Sequence, residues 1–173
     1  MNIAVLRETG AGEARVALMP DSVQKLVVAK ASVTIESGAG LGAARTDDDY
    51  REAGAKVTDD RNAVLASADV LVTISRPSQK DFNSLKQNAV VLGFLRPLDE
   101  PAKLTPALEN GLTTFSMELV PRITRAQAMD ALSSMATVAG YKAVLLGADR
   151  IPRMFPLLMT AAGTVPSMAA ASR

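Results

Sequence analysis

Gln127, Asp130, Ser133 and Ser134 are the side chains of this sequence best spaced to do chemistry together. They lie in the run from Val120 to Lys142, which reads as a tight turn leading into a long helix. Pro121 fixes the approach. Thr124 followed three residues later by Gln127 has the S/T-x-x-E/Q form of a capping box, so the spacing predicts a helix beginning near Thr124. No proline follows until Pro152, and the helix is expected to continue to about Asp149. At about 100° per residue, Met129, Leu132, Ala136, Ala139 and Ala143 fall on one side, and Gln127, Asp130 and Ser134 on the other with Ser133 beside them. A solvated face would carry long Lys and Glu side chains. This one carries short hydrogen-bonding groups among alanines, which lets another molecule come close. Two readings stay open on spacing alone. Either these groups meet a ligand, or Gln127 caps, Asp130 complements the helix dipole and the serines face water.

The elements that must position this run alternate along the chain. Apolar runs at Ile3–Leu6, Val33–Glu36, Val70–Ile74, Ala89–Leu95 and Leu112–Phe115 read as strands, with Lys56–Thr58 as a minor one. Helices are expected from Pro20 to about Lys30, Thr46 to Ala53, an Asp59 cap to about Ser67, Pro77 to Lys86, and across Leu98 to Asn110 with Pro101 and Pro106 breaking it. Such alternation predicts an α/β fold with a mainly parallel sheet and helices on both faces, a flavodoxin- or Rossmann-like three-layer sandwich followed by a long connecting helix. The expected divisions are an N-terminal α/β domain over 1–122, a connecting helix over 123–150, and the start of a linker over 151–173. Ligands of such sheets sit beyond the C-terminal strand ends. The loops there carry Arg7, Glu8, Arg15, Ser75, Arg76, Arg96, Glu118 and Arg122. Those arginines either serve an anion or are ordinary surface charge.

Composition removes several chemistries. The chain has 173 residues, 19 basic and 18 acidic side chains, and a net charge of +1. With few aromatics and no block of like charge, nothing points to a nucleic-acid surface. There is no Cys and no His, so a thiolate metal site, a disulfide framework and the commonest neutral-pH acid/base are all ruled out. Residues 1–8 lack the basic start of a signal peptide. No apolar run approaches the roughly 20 residues of a membrane span, and the chain is expected to be cytoplasmic.

Gly38-Ala39-Gly40-Leu41-Gly42-Ala43 follows a strand and fits G-x-G-x-x-A. A dinucleotide fingerprint needs its helix to start inside the glycines, so that free N–H groups meet the pyrophosphate. Here the next helix is expected at Thr46, and Asp47, Asp48 and Asp49 would repel a phosphate. A structural turn is the expectation.

The run from Val120 to Ala136 resembles the most specific segment of the proton-translocating nicotinamide nucleotide transhydrogenases, in the alpha subunit that binds NAD(H). The stretch from Ile151 to Pro166 resembles the same family. In that family the loop and helix start hold the nicotinamide end of NAD(H) where it faces NADP(H) on a neighbouring domain. The resemblance implies that Arg122, Gln127 and Asp130 are catalytic positions and that Arg122, Asp130 and Ser133 bind the cofactor, with no metal. It further implies a homodimer, a beta subunit with the NADP-binding domain, and membrane partner subunits that place this chain at the inner membrane's cytoplasmic side. In the family, residues matching 151–166 lead into a strand, a true G-x-G-x-x-G and an acidic ribose-binding residue, and this chain contains none of these. The isolated chain is therefore expected to be inactive, to bind NAD only weakly, and either to self-associate through exposed Met129, Leu132 and Leu145 or to be poorly ordered beyond about residue 150.

Two other readings remain. The chain is also similar to alanine dehydrogenase, whose carboxylate-binding Arg matches Arg15. That enzyme uses a Lys and a His for its substrate, where this sequence has Ser75, beside Arg76, and Arg96. The third reading is a non-catalytic assembly module.

Overall fold

The computed structural model describes residues 1–152, 158–161 and 163–165. Six strands form one sheet: β1 (Asn2–Val5), β2 (Ser32–Glu36), β3 (Lys56–Thr58), β4 (Val70–Ser75), β5 (Val90–Phe94) and β6 (Thr113–Ser116). Their order is β3-β2-β1-β4-β5-β6, and every neighbouring pair is parallel. This is the doubly wound order, with its switch point between β1 and β4. The helices are α1 (Pro20–Val28), α2 (Asp47–Glu52), α3 (Arg61–Ser67), α4 (Gln79–Ser84), α5 (Thr105–Glu109) and α6 (Ala131–Arg150). A short antiparallel hairpin joins β7 (Leu158–Thr160) to β8 (Gly163–Val165). The chain falls into two compact units, one over Met1–Met129 and one from Asp130 onward.

Strand pleating explains the layers. Successive side chains of β1 point to opposite faces. Ile3 and Val5 join Val33 and Ile35 under α1 and α2, which contribute Val23 and Tyr50. Ala4 and Leu6 join Leu71 and Val91 under α3, α4 and α5, which contribute Val64, Leu65, Phe82 and Ala107. Both faces of the sheet are thus covered, as the near-continuous apolar strands require. The α1/α2 layer reaches as far as β4, whose Val70 and Val72 pack against it. On the same face of β5 and β6, Val90, Leu92 and Phe94 are half-buried, and Phe115, in register with Leu92, is 56% exposed.

Two helix starts depart from expectation. The α3 cap is Asp60, not Asp59: its carboxylate accepts the Ala63 N–H. The long helix starts at Ala131, not near Thr124. Asp130 is its cap, accepting the Ser133 N–H at 2.9 Å, and Asp is a stronger cap than Thr. Thr124–Met129 winds instead as a tighter 3₁₀ segment, with no Thr124–Gln127 capping box. One expectation about hydropathy also fails. By length and composition alone, α6 is apolar enough to cross a bilayer. Lys142 sits near its middle, where a charge costs about 3 kcal/mol in a membrane. Much of the 151–173 linker lies outside the described residues.

Candidate functional site

The C-terminal edge of the sheet carries two groups of polar residues. One lies at the switch point between β1 and β4, where ligands of this sheet order bind. A groove of about 370 Å³ opens there between the loop after β1, the start of α3 and the loop from β4 to α4. Its rear wall is built by an ionic cluster. Arg61 donates Nε and Nη2 to the two oxygens of Asp81, at 2.9 and 3.0 Å, and Nη1 to Glu36 at 2.6 Å. Glu36 and Asp81 are both buried, so the guanidinium is what makes those charges tolerable. Burial pushes the Asp81 carboxyl up, but hydrogen bonds from Arg61 and Ser78 outweigh it and hold the group below its ordinary value. Asp81 also completes a capping box with Ser78 at the start of α4. Glu36 accepts the Arg7 N–H, so one cluster fixes the ends of β1 and β2 and the starts of α3 and α4.

Glu8 closes the switch point itself. Its carboxylate accepts from the Ile74 N–H at 2.7 Å, the Ser75 N–H at 3.1 Å and the Thr73 hydroxyl at 3.0 Å. The pairing of β4 with β5 shifts register between Val72 and Ser75, and Glu8 takes up the amides freed by that shift. Gly93 lies opposite, where a Cβ would stand 2.7 Å from Thr73 atoms. Sequence reading placed Glu8 in the right loop but did not pair it with β4. A carboxylate directly after a buried strand was the available signal.

The second group follows β6. Glu118 accepts the Arg96 N–H with one oxygen. Its other oxygen is buried with no hydrogen-bond partner among the described residues. Arg96 has φ +53°, a left-handed conformation held at a strand end. Arg122 sits at the tip of a γ-turn, closed by the Ile123 N–H on the Pro121 carbonyl at 2.9 Å. Its side chain is exposed and has no acidic partner among the described residues. Gln127 is exposed in the 3₁₀ segment. In the second unit, Asp130 binds Ser133 with both oxygens: Oδ1 accepts the N–H and Oδ2 accepts the hydroxyl at 2.6 Å. The structure thus joins Asp130 to Ser133 as cap and first turn. Ser134 turns its hydroxyl back to the Asp130 carbonyl.

The glycine run is occupied by its own protein. Gly38 donates its N–H to Asp47 at 2.9 Å, and Ser37 donates its hydroxyl to the same carboxylate. The Ser37 bond is the largest reason the Asp47 carboxyl lies below its ordinary range. A Cβ at Gly40 would meet Tyr50 at 2.5 Å, and one at Gly42 would meet the Ala14 carbonyl oxygen at 2.7 Å. The glycines serve close packing, as the sequence reading held. Arg15 is likewise engaged: Nε and Nη2 both bind Glu13, at 2.7 and 2.6 Å.

A six-stranded parallel sheet in the doubly wound order, followed by a long helix, defines a Rossmann-like class of domain. The model of the alanine dehydrogenase/PNT N-terminal domain family matches residues 4–139, and the chain belongs to that family. It is 42% identical over 171 residues to an NAD(P) transhydrogenase subunit alpha protein of Rhodospirillum rubrum, covering 96% of this chain and 44% of that protein. Alanine dehydrogenase 1 of Staphylococcus aureus is 30% identical over 148 residues, covering 86% of this chain and 38% of the relative. Among solved structures, the transhydrogenase from Sinorhizobium meliloti superposes with a TM-score of 0.89 at 42% identity, over 96% of this chain and 50% of that one. An L-alanine dehydrogenase superposes at 0.78 with 28% identity, over 92% and 44%. The chain corresponds to the N-terminal portion of transhydrogenase alpha subunits and spans about half their length or less.

Proposed function

We propose that this chain is the portion of an NAD(P) transhydrogenase alpha subunit that positions the NAD(H) nicotinamide for direct hydride transfer to NADP on a partner domain. The observation that carries this reading is the family match together with the exposed, unpaired Arg122 on its fixed turn. The residues fit a nicotinamide. Arg122 and Gln127 offer donors beside the end of β6, and Glu118 adds a buried acceptor without a donor at the same edge. Asp130 and Ser133 fit by shaping the start of α6.

A bound nicotinamide supplies the hydride. The chain's own task is to orient the ring and keep water away. Arg122 would hold the nicotinamide end, reaching from a backbone that the turn from Pro121 to Ile123 fixes. No proton is exchanged at the reacting carbons, so a site without His suits the reaction. The protein works as a homodimer, with the beta subunit's NADP-binding domain docking on it and partner subunits holding it at the membrane. Dinucleotide binding falls mainly to residues outside this chain.

The alanine dehydrogenase reading is disfavoured by Ser75 and Arg96, and by the Glu13 carboxylate already on Arg15. The test combines the complete subunit carrying this segment with an NADP-binding partner domain. NADH-to-NADP hydride transfer without activity on alanine is expected. Activity on alanine, or no binding to either nucleotide or partner, would overturn the proposal.

A further inference from the structure

We infer that the groove at the switch point is a binding site for a small phosphate-bearing anion, separate from the Arg122 region. Four cations line it: Arg7, Arg61, Arg76 and Lys80. Two are engaged inside the protein. Arg61 is shared by Asp81 and Glu36, and Arg76 donates to Glu100 and to the Leu95 carbonyl. The Arg7 guanidinium, which lies beside Gly38 at the groove's edge, and the Lys80 ammonium have no acceptor among the described residues. The hydroxyls of Thr9 and Ser75 also line the groove without a side-chain partner.

Two carboxylates, Glu8 and Asp81, also line the groove, and both are held by the protein. Glu8 is held by three donors of β4, and Asp81 by Arg61 and Ser78. Asp81 is neutralised by Arg61 and Glu8 is solvated by its neutral donors, whereas Arg7 and Lys80 have no anionic partner among the described residues. Two flexible cations and two hydroxyls across about 370 Å³ match a group with several acceptor oxygens and a double negative charge, since charge-assisted bonds to phosphate are the strong ones. The volume lies at the lower end of small-ligand sites, enough for a phosphate with little else attached. Arg122 is not among the residues lining the groove, and β5 stands between β4 and β6.

The test is an amide-resolved NMR titration of this chain with inorganic phosphate, with AMP, with adenosine and with chloride at matched ionic strength. Saturable shifts at Thr9, Gly10 and Ser75 are expected with phosphate and AMP, and none with adenosine or chloride. Tighter binding of AMP identifies a nucleotide phosphate as the source; equal binding identifies free phosphate. R7Q and K80Q are each expected to weaken binding about fivefold to tenfold and to leave the melting temperature unchanged, because neither side chain has a partner to lose. R122Q is expected to leave the shifts in place. Equal shifts with chloride, no saturation at tens of millimolar phosphate, or full binding by the R7Q/K80Q double variant would overturn the site.

Discussion

Arg61 is the residue on which most of the sheet edge depends. Its removal leaves Glu36 and Asp81, whose side chains are only 10% and 9% exposed, without their cation. Breaking one partner out of such a cluster costs about 3 kcal/mol. R61A is expected to lower the urea midpoint with its slope unchanged; stability within about 0.5 kcal/mol of wild type would mean that water replaces the guanidinium. Acid acts on the same region. Hydrogen bonds hold the Asp81 carboxyl below its ordinary 3.8. Lys103 and then Arg76 lower Glu100 from 4.5 to about 2. Both pKa values are depressed by folding, so their contribution is complete above the unfolded values and is lost as pH falls through the folded ones. Stability is expected to decline from about pH 4.5 toward pH 2, and D81N is expected to flatten part of that decline in acid-unfolding curves. Arg122 has a different role, with no structural bond from its side chain. In the complete subunit, R122A is expected to slow hydride transfer on the order of 100-fold at unchanged thermal stability. A parallel loss of melting temperature would assign it to folding instead.

Elements are shaped by their ends and their closest approaches. D130A removes the cap of α6 and is expected to cost about 1 kcal/mol, read as loss of helicity in the first turn. Gly140, in the same helix, has nothing within 4 Å of a Cβ. G140A should therefore raise helix stability by about 0.5–1 kcal/mol. At Gly40 the same substitution has the opposite sign, because the new methyl would overlap fully buried Tyr50. G40A is expected to destabilise by about 1–3 kcal/mol. Calorimetric melting of both variants checks the pair, and a shared sign would contradict the packing described.

At the scale of the molecule, apolar surface remains exposed. On α6, Val138, Tyr141, Val144, Leu145 and Leu146 are exposed, and on β6 so is Phe115. Patches of this kind mark association surfaces. The chain alone is expected to self-associate in light scattering after size exclusion, with dye binding that falls on dilution. A monodisperse monomer that binds no dye would count against the proposed dimer as well as against this expectation.

By itself, the order of apolar runs and breakers determined the layer class, because a strand buried on both faces and a helix read as different periods. The misfit of the glycine run was legible too, since three carboxylates follow it. The 120–136 segment carried the family through a resemblance in its residues. Tertiary structure decided the rest. The spacing pointed to a helix start near Thr124, and the structure starts α6 at Ala131 because Asp130 closes the capping hydrogen bond. Glu8 with β4, and Arg61 with Glu36 and Asp81, join residues 20 to 67 positions apart. Local pattern carries no trace of such partners, because strand order alone sets them side by side. The sequence showed where the charges were, and only the fold determined which of them were already paired.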